Sequence, residues 1–167
     1  MLKEWRGDIA FSNDMAIFRG QVAGNDAHSH WASQLTIALE GEVGFVTRDG
    51  EGSAEAIYFA SKTEHQLLSG HICSIYFDPL SPSLFSAYAS RADNGWLVLT
   101  RDQLPEPLRA IRAETDLQAL VASGVLGAPD ASLSSDARVR TVVEAIKVAM
   151  GDGQDLDRDS LARLVNL

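Results

Sequence analysis

The hydrophobic pattern of this chain changes period once, at Asp78-Pro79-Leu80-Ser81-Pro82, and that change restricts the fold more than any other feature. Before it, apolar residues come in short strand-like runs: Met15 to Arg19, Gln34 to Leu39, Val43 to Thr47, Ala56 to Phe59 and Ile72 to Phe77. Asn13-Asp14, Gly24-Asn25, Glu40-Gly41 and Arg48-Asp49-Gly50-Glu51-Gly52 separate them. Short apolar runs punctuated by Gly, Asn and Asp read as an antiparallel barrel or sandwich, because these residues supply the backbone conformations that tight turns need. After the prolines the apolar residues recur at three and four, the period of a helix. The spacing predicts helices over Ser83 to Ser90, Pro105 to Glu114 and Asp116 to Ala122, the last ending near Gly124. A stronger helix runs from Ser134 to Met150, where Val139, Val142, Val143, Ile146 and Met150 share one face. Ser135 or Asp136 caps it and Gly151-Asp152-Gly153 stops it; Asp155 to Asp159 then opens a further helix striped by Leu161, Leu164 and Val165.

A length of 167 residues suits one domain with room for the beginning of a second unit. With 46% apolar and 22% charged residues the chain is expected to fold on its own. The start, Met1 to Arg6, lacks the apolar run of a signal peptide, and no stretch approaches the roughly 20 apolar residues of a membrane helix. The expectation is a cytoplasmic protein with no membrane partner. Cys73, the only cysteine, excludes an internal disulfide, and its neighbours Ile72, Ser74 and Ile75 suggest a packed core thiol. A formal charge of -9 makes the chain as it stands a poor partner for DNA, since phosphate contacts require a basic surface. Hydrolase, phosphate-loop, dinucleotide and zinc-cysteine motifs are all missing, so no catalytic residue is assigned.

The stretch from Gly24 to Gly41 holds the chemistry. On an extended strand His28, His30 and Gln34 point the same way, and Thr36 and Ala38 continue that face. Leu35, Ile37 and Leu39 fill the opposite face, which packs against the helices. The polar face would line the barrel mouth, where His28, His30, Gln34, Thr36 and His65 are the candidates for holding a small ligand. Two imidazoles on one face can also chelate a divalent metal, with His65 from a later segment as a third donor and Gln34 as a fourth. Gln34 offers only a neutral carbonyl oxygen, so the ion loses a compensating charge. Metal is therefore the minority reading, and no cofactor is required. His71, after Gly70, reads as a solvated turn or strand-end residue. Tyr58, Phe59, Tyr76 and Phe77 default to core, and Trp31 packs on a helix or covers an opening.

His28-x-His30, Gln34 and Gly41 resemble the first cupin motif, with Gln34 standing where the motif has Glu and Gly24 a little too close to His28. His65 matches the second motif less fully, since Ala60, Lys62 and Ser69 replace its Pro, Gly and Asn. The tail, Asp136-Ala-Arg-Val-Arg-Thr-Val-Val-Glu-Ala-Ile146 and then Leu156-Asp-Arg-Asp-Ser-Leu-Ala-Arg-Leu-Val-Asn-Leu167, resembles the opening of the DNA-binding domain of AraC-family bacterial regulators. The front half resembles that family's cupin-like sensor, down to Ile75-Tyr-Phe-Asp-Pro79 closing the barrel.

This resemblance implies a mainly β plus α fold, a cupin-like jelly-roll barrel followed by a helical C-terminal region. It divides the chain into a barrel sensor over 1–80, a helical linker and dimerisation region over 81–133, and the first helices of a helix-turn-helix domain over 134–167. It implies a small-molecule effector and a homodimer, with the dimer surface sought on the helices from Ser83 to Ala122. DNA would be reached only through recognition elements beyond Leu167, so that the sequence in hand is a fragment and none of its own residues binds DNA. The leading expectation is thus the effector-sensing and dimerising portion of a sequence-specific transcription regulator, not an enzyme. The alternative is a small metal-dependent cupin enzyme of dioxygenase or isomerase type, using His28, His30, Gln34 and His65. A stand-alone interaction module is the third.

Overall fold

The computed structural model describes residues 5–12, 14–81 and 83–127. Its strands are β1 (Trp5–Phe11), β2 (Met15–Ala23), β3 (Ser33–Ala38), β4 (Val43–Thr47), β5 (Gly50–Ala54), β6 (Ala56–Phe59), β7 (Gln66–Leu67), β8 (Ser69–Phe77) and β9 (Trp96–Leu99). Six of them form one sheet in the order β1-β2-β8-β3-β6-β9, and β5-β4-β7 form a second. Every pairing is antiparallel.

Alternation along the strands separates two apolar layers. On the inner face of the large sheet Phe18, Val22, Ile57, Phe59 and Ile72 meet Val43, Phe45 and Leu67 of the small sheet. On its outer face Ile17, Leu35, Ile37, Tyr58, Cys73 and Ile75 meet Phe85, Tyr88, Leu104, Leu108, Ile111 and Leu117 from the segments after the barrel. Strand β3 is central and buried along its whole length. Its odd residues face the helical layer and its even residues face the barrel interior, which is the division the sequence predicts for Leu35 and Ile37 against Gln34 and Thr36.

The outer layer is less helical than the sequence suggests. The described helices are α1 (Ser86–Ala89), α2 (Glu106–Arg109) and α3 (Leu117–Ala122), with a 3-10 turn at Arg101–Gln103. The expected helix from Pro105 to Glu114 stops at Arg109. Its freed carbonyls at Arg109 and Ile111 accept hydrogen bonds from the Arg101 guanidinium, at 3.0 and 3.1 Å, in place of helix amides. Helix α3 begins where expected, because the Asp116 carboxylate accepts from the Ala119 N–H at 3.0 Å and caps it. Strand β9 lies inside the region read as helical linker and pairs with β6, so the large sheet extends past residue 80. The helices expected from Ser134 onward lie outside the described residues. No helix among the described residues is long and apolar enough to cross a membrane.

Candidate functional site

Three backbone devices bring the histidines together at one end of the barrel. His28 and His65 face each other across an antiparallel bridge, His28 N–H to His65 O at 3.0 Å and His65 N–H to His28 O at 2.9 Å. The His30 carbonyl accepts from the Lys62 N–H at 2.8 Å. Gln34, on β3, sits between Phe59 of β6 and Tyr76 of β8 in the sheet register, so its side chain enters the interior below the rings. Residues 28 to 32 are not continuous with β3, yet His28, His30 and Gln34 converge as the sequence predicts.

The ligand atoms of His28, His30 and His65 lie within 4.8 Å of one another, and no Asp or Glu joins them among the described residues. His28 and His30 are half-buried, while His65 and Gln34 are buried at 2% and 1% exposure and form the floor. The His65 ring stacks on Phe59, centroids 4.0 Å apart and planes 13° from parallel. Tyr76 closes the side next to His30 with an edge-on ring contact at 5.6 Å.

Proton positions follow from the partners. Each Nδ1 faces a backbone carbonyl at 2.8 Å, His28 to Asp26, His30 to Ala32 and His65 to Thr63. A carbonyl can only accept, so each Nδ1 carries the proton and each Nε2 of a neutral ring presents a lone pair. The Gln34 Oε1 lies 3.0 Å from His30 Nε2 and 3.1 Å from His65 Nε2, while its Nε2 donates to Thr36 Oγ1 at 2.8 Å and to Ser74 Oγ at 3.5 Å. Imidazole lone pairs and an amide oxygen thus point at one another with no proton between them. Protonating a ring would resolve this, but burial holds His30 below the ordinary imidazole range and takes His65 down to about 4. A divalent cation satisfies all the donors at once. Nδ1–H bonds to backbone carbonyls are also the outer contacts that fix an Nε2-ligating tautomer. The residues present therefore fit a metal ion, with His28, His30 and His65 as nitrogen donors and Gln34 as an oxygen donor.

Among the residues expected at the barrel mouth, His28, His30, Gln34 and His65 are brought together. Thr36 is not at the mouth: it is fully buried behind Gln34, where its hydroxyl bonds Gln34 and, at 2.8 Å, Ser74. It belongs to the support of the site. Ser74 and Tyr76 were legible only through alternation, since Ile72, Ser74 and Tyr76 share the inner face of β8. His71 lies apart from the cluster, on β8, with its Nδ1 3.5 Å from a Glu40 carboxylate oxygen. Trp31 is 46% exposed, and the Lys62 ammonium lies 5.1 Å from its ring centre. A hollow of about 190 Å³ opens on the opposite face of the large sheet, among Ser33, Tyr58, Phe85 and Ala89, back to back with the histidines across β3 and β6. Its lining has hydroxyls and rings but no ligating cluster.

No protein-family model matches the sequence, and no curated protein matches it. Solved structures resemble about half of it. A cupin 2 conserved barrel domain protein from Salinispora arenicola matches with a TM-score of 0.40 and 16% identity, over 52% of this chain and 84% of its own. The Clostridium difficile EutQ protein matches with 0.38 and 8% identity, over 44% and 68%. A cupin-2 domain containing protein from Shewanella frigidimarina matches with 0.37 and 21% identity, over 46% and 80%.

Proposed function

We propose that this chain is the effector-sensing and dimerising portion of a bacterial transcription regulator of AraC type, with a cupin-like barrel as sensor and the histidine cluster as its sensing site, occupied by a divalent cation. The observation that carries the sensing role is the double use of β3. Gln34 and Thr36 serve the cluster from one face, while Leu35 and Ile37 pack into the helical layer from the other. A ligand that repositions Gln34 therefore acts on the strand against which the helices rest, and it shifts their arrangement by its differential affinity for two states. The assignment to a regulator is supported by the tail sequence from Asp136 to Leu167, which resembles the opening of that family's DNA-binding domain.

Two measurements test this reading. Chain purified without chelator should carry close to one divalent ion per chain, and His65→Ala should lose it; no ion in the unaltered chain removes the cation from the proposal. The product of the whole gene should retard a DNA fragment from its own upstream region, to an extent that changes with cation. Absence of retardation at every cation concentration overturns the regulator.

The donor set favours one further reading, a small metal-dependent enzyme of dioxygenase or isomerase type with His28, His30, Gln34 and His65 as ligands. In that enzyme the cation would supply Lewis-acid or redox chemistry, and the chain would bind and orient a substrate on the open His28 and His30 side. Cation-dependent turnover that disappears in His30→Ala would establish it over the sensor.

A further inference from the structure

We infer that the cation-loaded cluster is a receptor for a small chelating carboxylate, because Gln34 leaves it with a donor set of no net charge. This rests on the cation binding proposed above and names the chemical class of the effector. An imidazole that ligates a metal through Nε2 with its Nδ1–H on a backbone carbonyl carries no charge, and all three rings have that arrangement, while Gln34 contributes an uncharged amide oxygen. No carboxylate belongs to the cluster among the described residues. A divalent ion there keeps both positive charges in surroundings that are mostly apolar, with Phe59 beneath His65 and Tyr76 beside His30. A charge removed from water needs a compensating partner, and none of the described residues supplies one at the ligand shell. The compensation has to come from outside.

The geometry also gives the direction of approach. Gln34 and His65 close the floor, so the half-buried edges of His28 and His30 are the accessible side. Lys62 is tied to that side by its N–H bond to the His30 carbonyl. It is the only non-glycine residue among those described with a left-handed backbone, φ 62°, a conformation that disfavours a residue bearing a Cβ. The strained backbone borders His30, and the Lys62 ammonium lies over the exposed Trp31 ring, next to His30 in the chain. An anion with two oxygens that meets the cation from this side turns its second oxygen toward the segment that carries Lys62.

The test uses cobalt(II), whose visible absorption reports a new ligand, with malonate as the probe and malonamide as its uncharged counterpart. Malonate should bind the cobalt-loaded chain, alter its absorption, and leave the metal-free chain untouched; malonamide should bind at least about tenfold more weakly. Gln34→Glu should bind cobalt more tightly and malonate at least about tenfold more weakly, since one added negative charge beside the ion outweighs that ratio at any protein-like dielectric. Lys62→Ala should weaken malonate a few-fold with cobalt affinity unchanged. Cobalt bound normally, with malonate indifferent both to Gln34→Glu and to exchange for malonamide, overturns the carboxylate receptor and leaves the cation reading standing. Cobalt failing to bind overturns both.

Discussion

At the scale of single residues, the interior of this barrel is ordered by which groups can donate a proton. The Gln34 amide N–H groups face the Thr36 and Ser74 hydroxyls and its oxygen faces the rings. Turning the amide over would let its two N–H groups donate to His30 and His65 instead, an arrangement open to Gln and closed to Glu. Thr36→Val keeps the shape, removes the hydroxyl that holds the amide, and leaves a buried donor without its closest acceptor. The expected cost is about 1–2 kcal/mol, read by urea unfolding of metal-free chain, together with weaker cation binding; unchanged cation affinity would show that the hydroxyls do not orient the amide. Cys73, read from its apolar neighbours as a core thiol, is buried on the helical side, and burial pushes it up to about 12. At pH 8 the folded protein should therefore be inert to a thiol-specific disulfide reagent, and one thiol per chain should react once it is unfolded at the same pH. Rapid reaction of folded protein would place Cys73 in a more open setting than the outer layer provides.

At the scale of elements, one arginine joins strand β3 to the helical layer. The Arg101 guanidinium donates to Ala38 O at the end of β3, at 2.7 Å, and to the carbonyls of Arg109 and Ile111 that close α2. Its own N–H donates to Glu55 at 2.8 Å. Arg101→Ala should cost about 2 kcal/mol, a charged hydrogen-bond loss partly offset by water, with cation affinity unchanged because no cluster residue touches Arg101. Urea unfolding beside a cation titration checks both halves. This arginine also explains why part of the fold was hidden in the sequence. A helix from Pro105 to Glu114 satisfies local periodicity, but a guanidinium eight and ten positions away takes the Arg109 and Ile111 carbonyls, and periodicity does not record that competition. Strands β4 and β6 are readable to the residue because Val43, Phe45 and Thr47 alternate inward after a turn and Ala56 to Phe59 is an uninterrupted apolar run. Strand β5, Gly50-Glu-Gly-Ser-Ala54, begins inside the Arg48 to Gly52 stretch that reads as a turn, since its only buried side chain is Ala54 and it is held by pairing with β4. Strand β9 was absorbed into the helical region although Asn94-Gly95 before Trp96-Leu-Val-Leu99 is turn chemistry followed by an apolar run. The convergence of His28, His30, Gln34 and His65 is readable from motif spacing, although residues 28 to 32 are not part of β3 and alternation holds only from Ser33 on, whereas the position of Thr36 behind Gln34 depends on a hydroxyl partner from β8 that spacing alone does not bring near.

At the scale of the whole molecule, the question is whether events at the histidines reach the helical layer. The two apolar layers are separate clusters that share the strands of the large sheet, so any message has to pass through backbone and through side chains leaving opposite faces of one strand. Strand β3 is the shortest such route, with Gln34 and Thr36 inward and Leu35 and Ile37 outward. A cation at a hundred times its dissociation constant stabilises the folded state by about 2.7 kcal/mol. The distribution of that stabilisation distinguishes a sensor from a simple binding site, because local openings respond separately from global unfolding. Hydrogen exchange with and without the cation should show added protection at Ser33–Ala38 and also at Glu106–Arg109 and Leu117–Ala122, which do not contact the cluster. Leu35→Ala, which thins the outward contact and leaves Gln34 in place, should keep protection at the histidines and reduce it in the two helices. Protection confined to β3, β6 and β8 in the unaltered chain would mean that the large sheet insulates the two layers, and the barrel would then bind its ligand without passing the signal on.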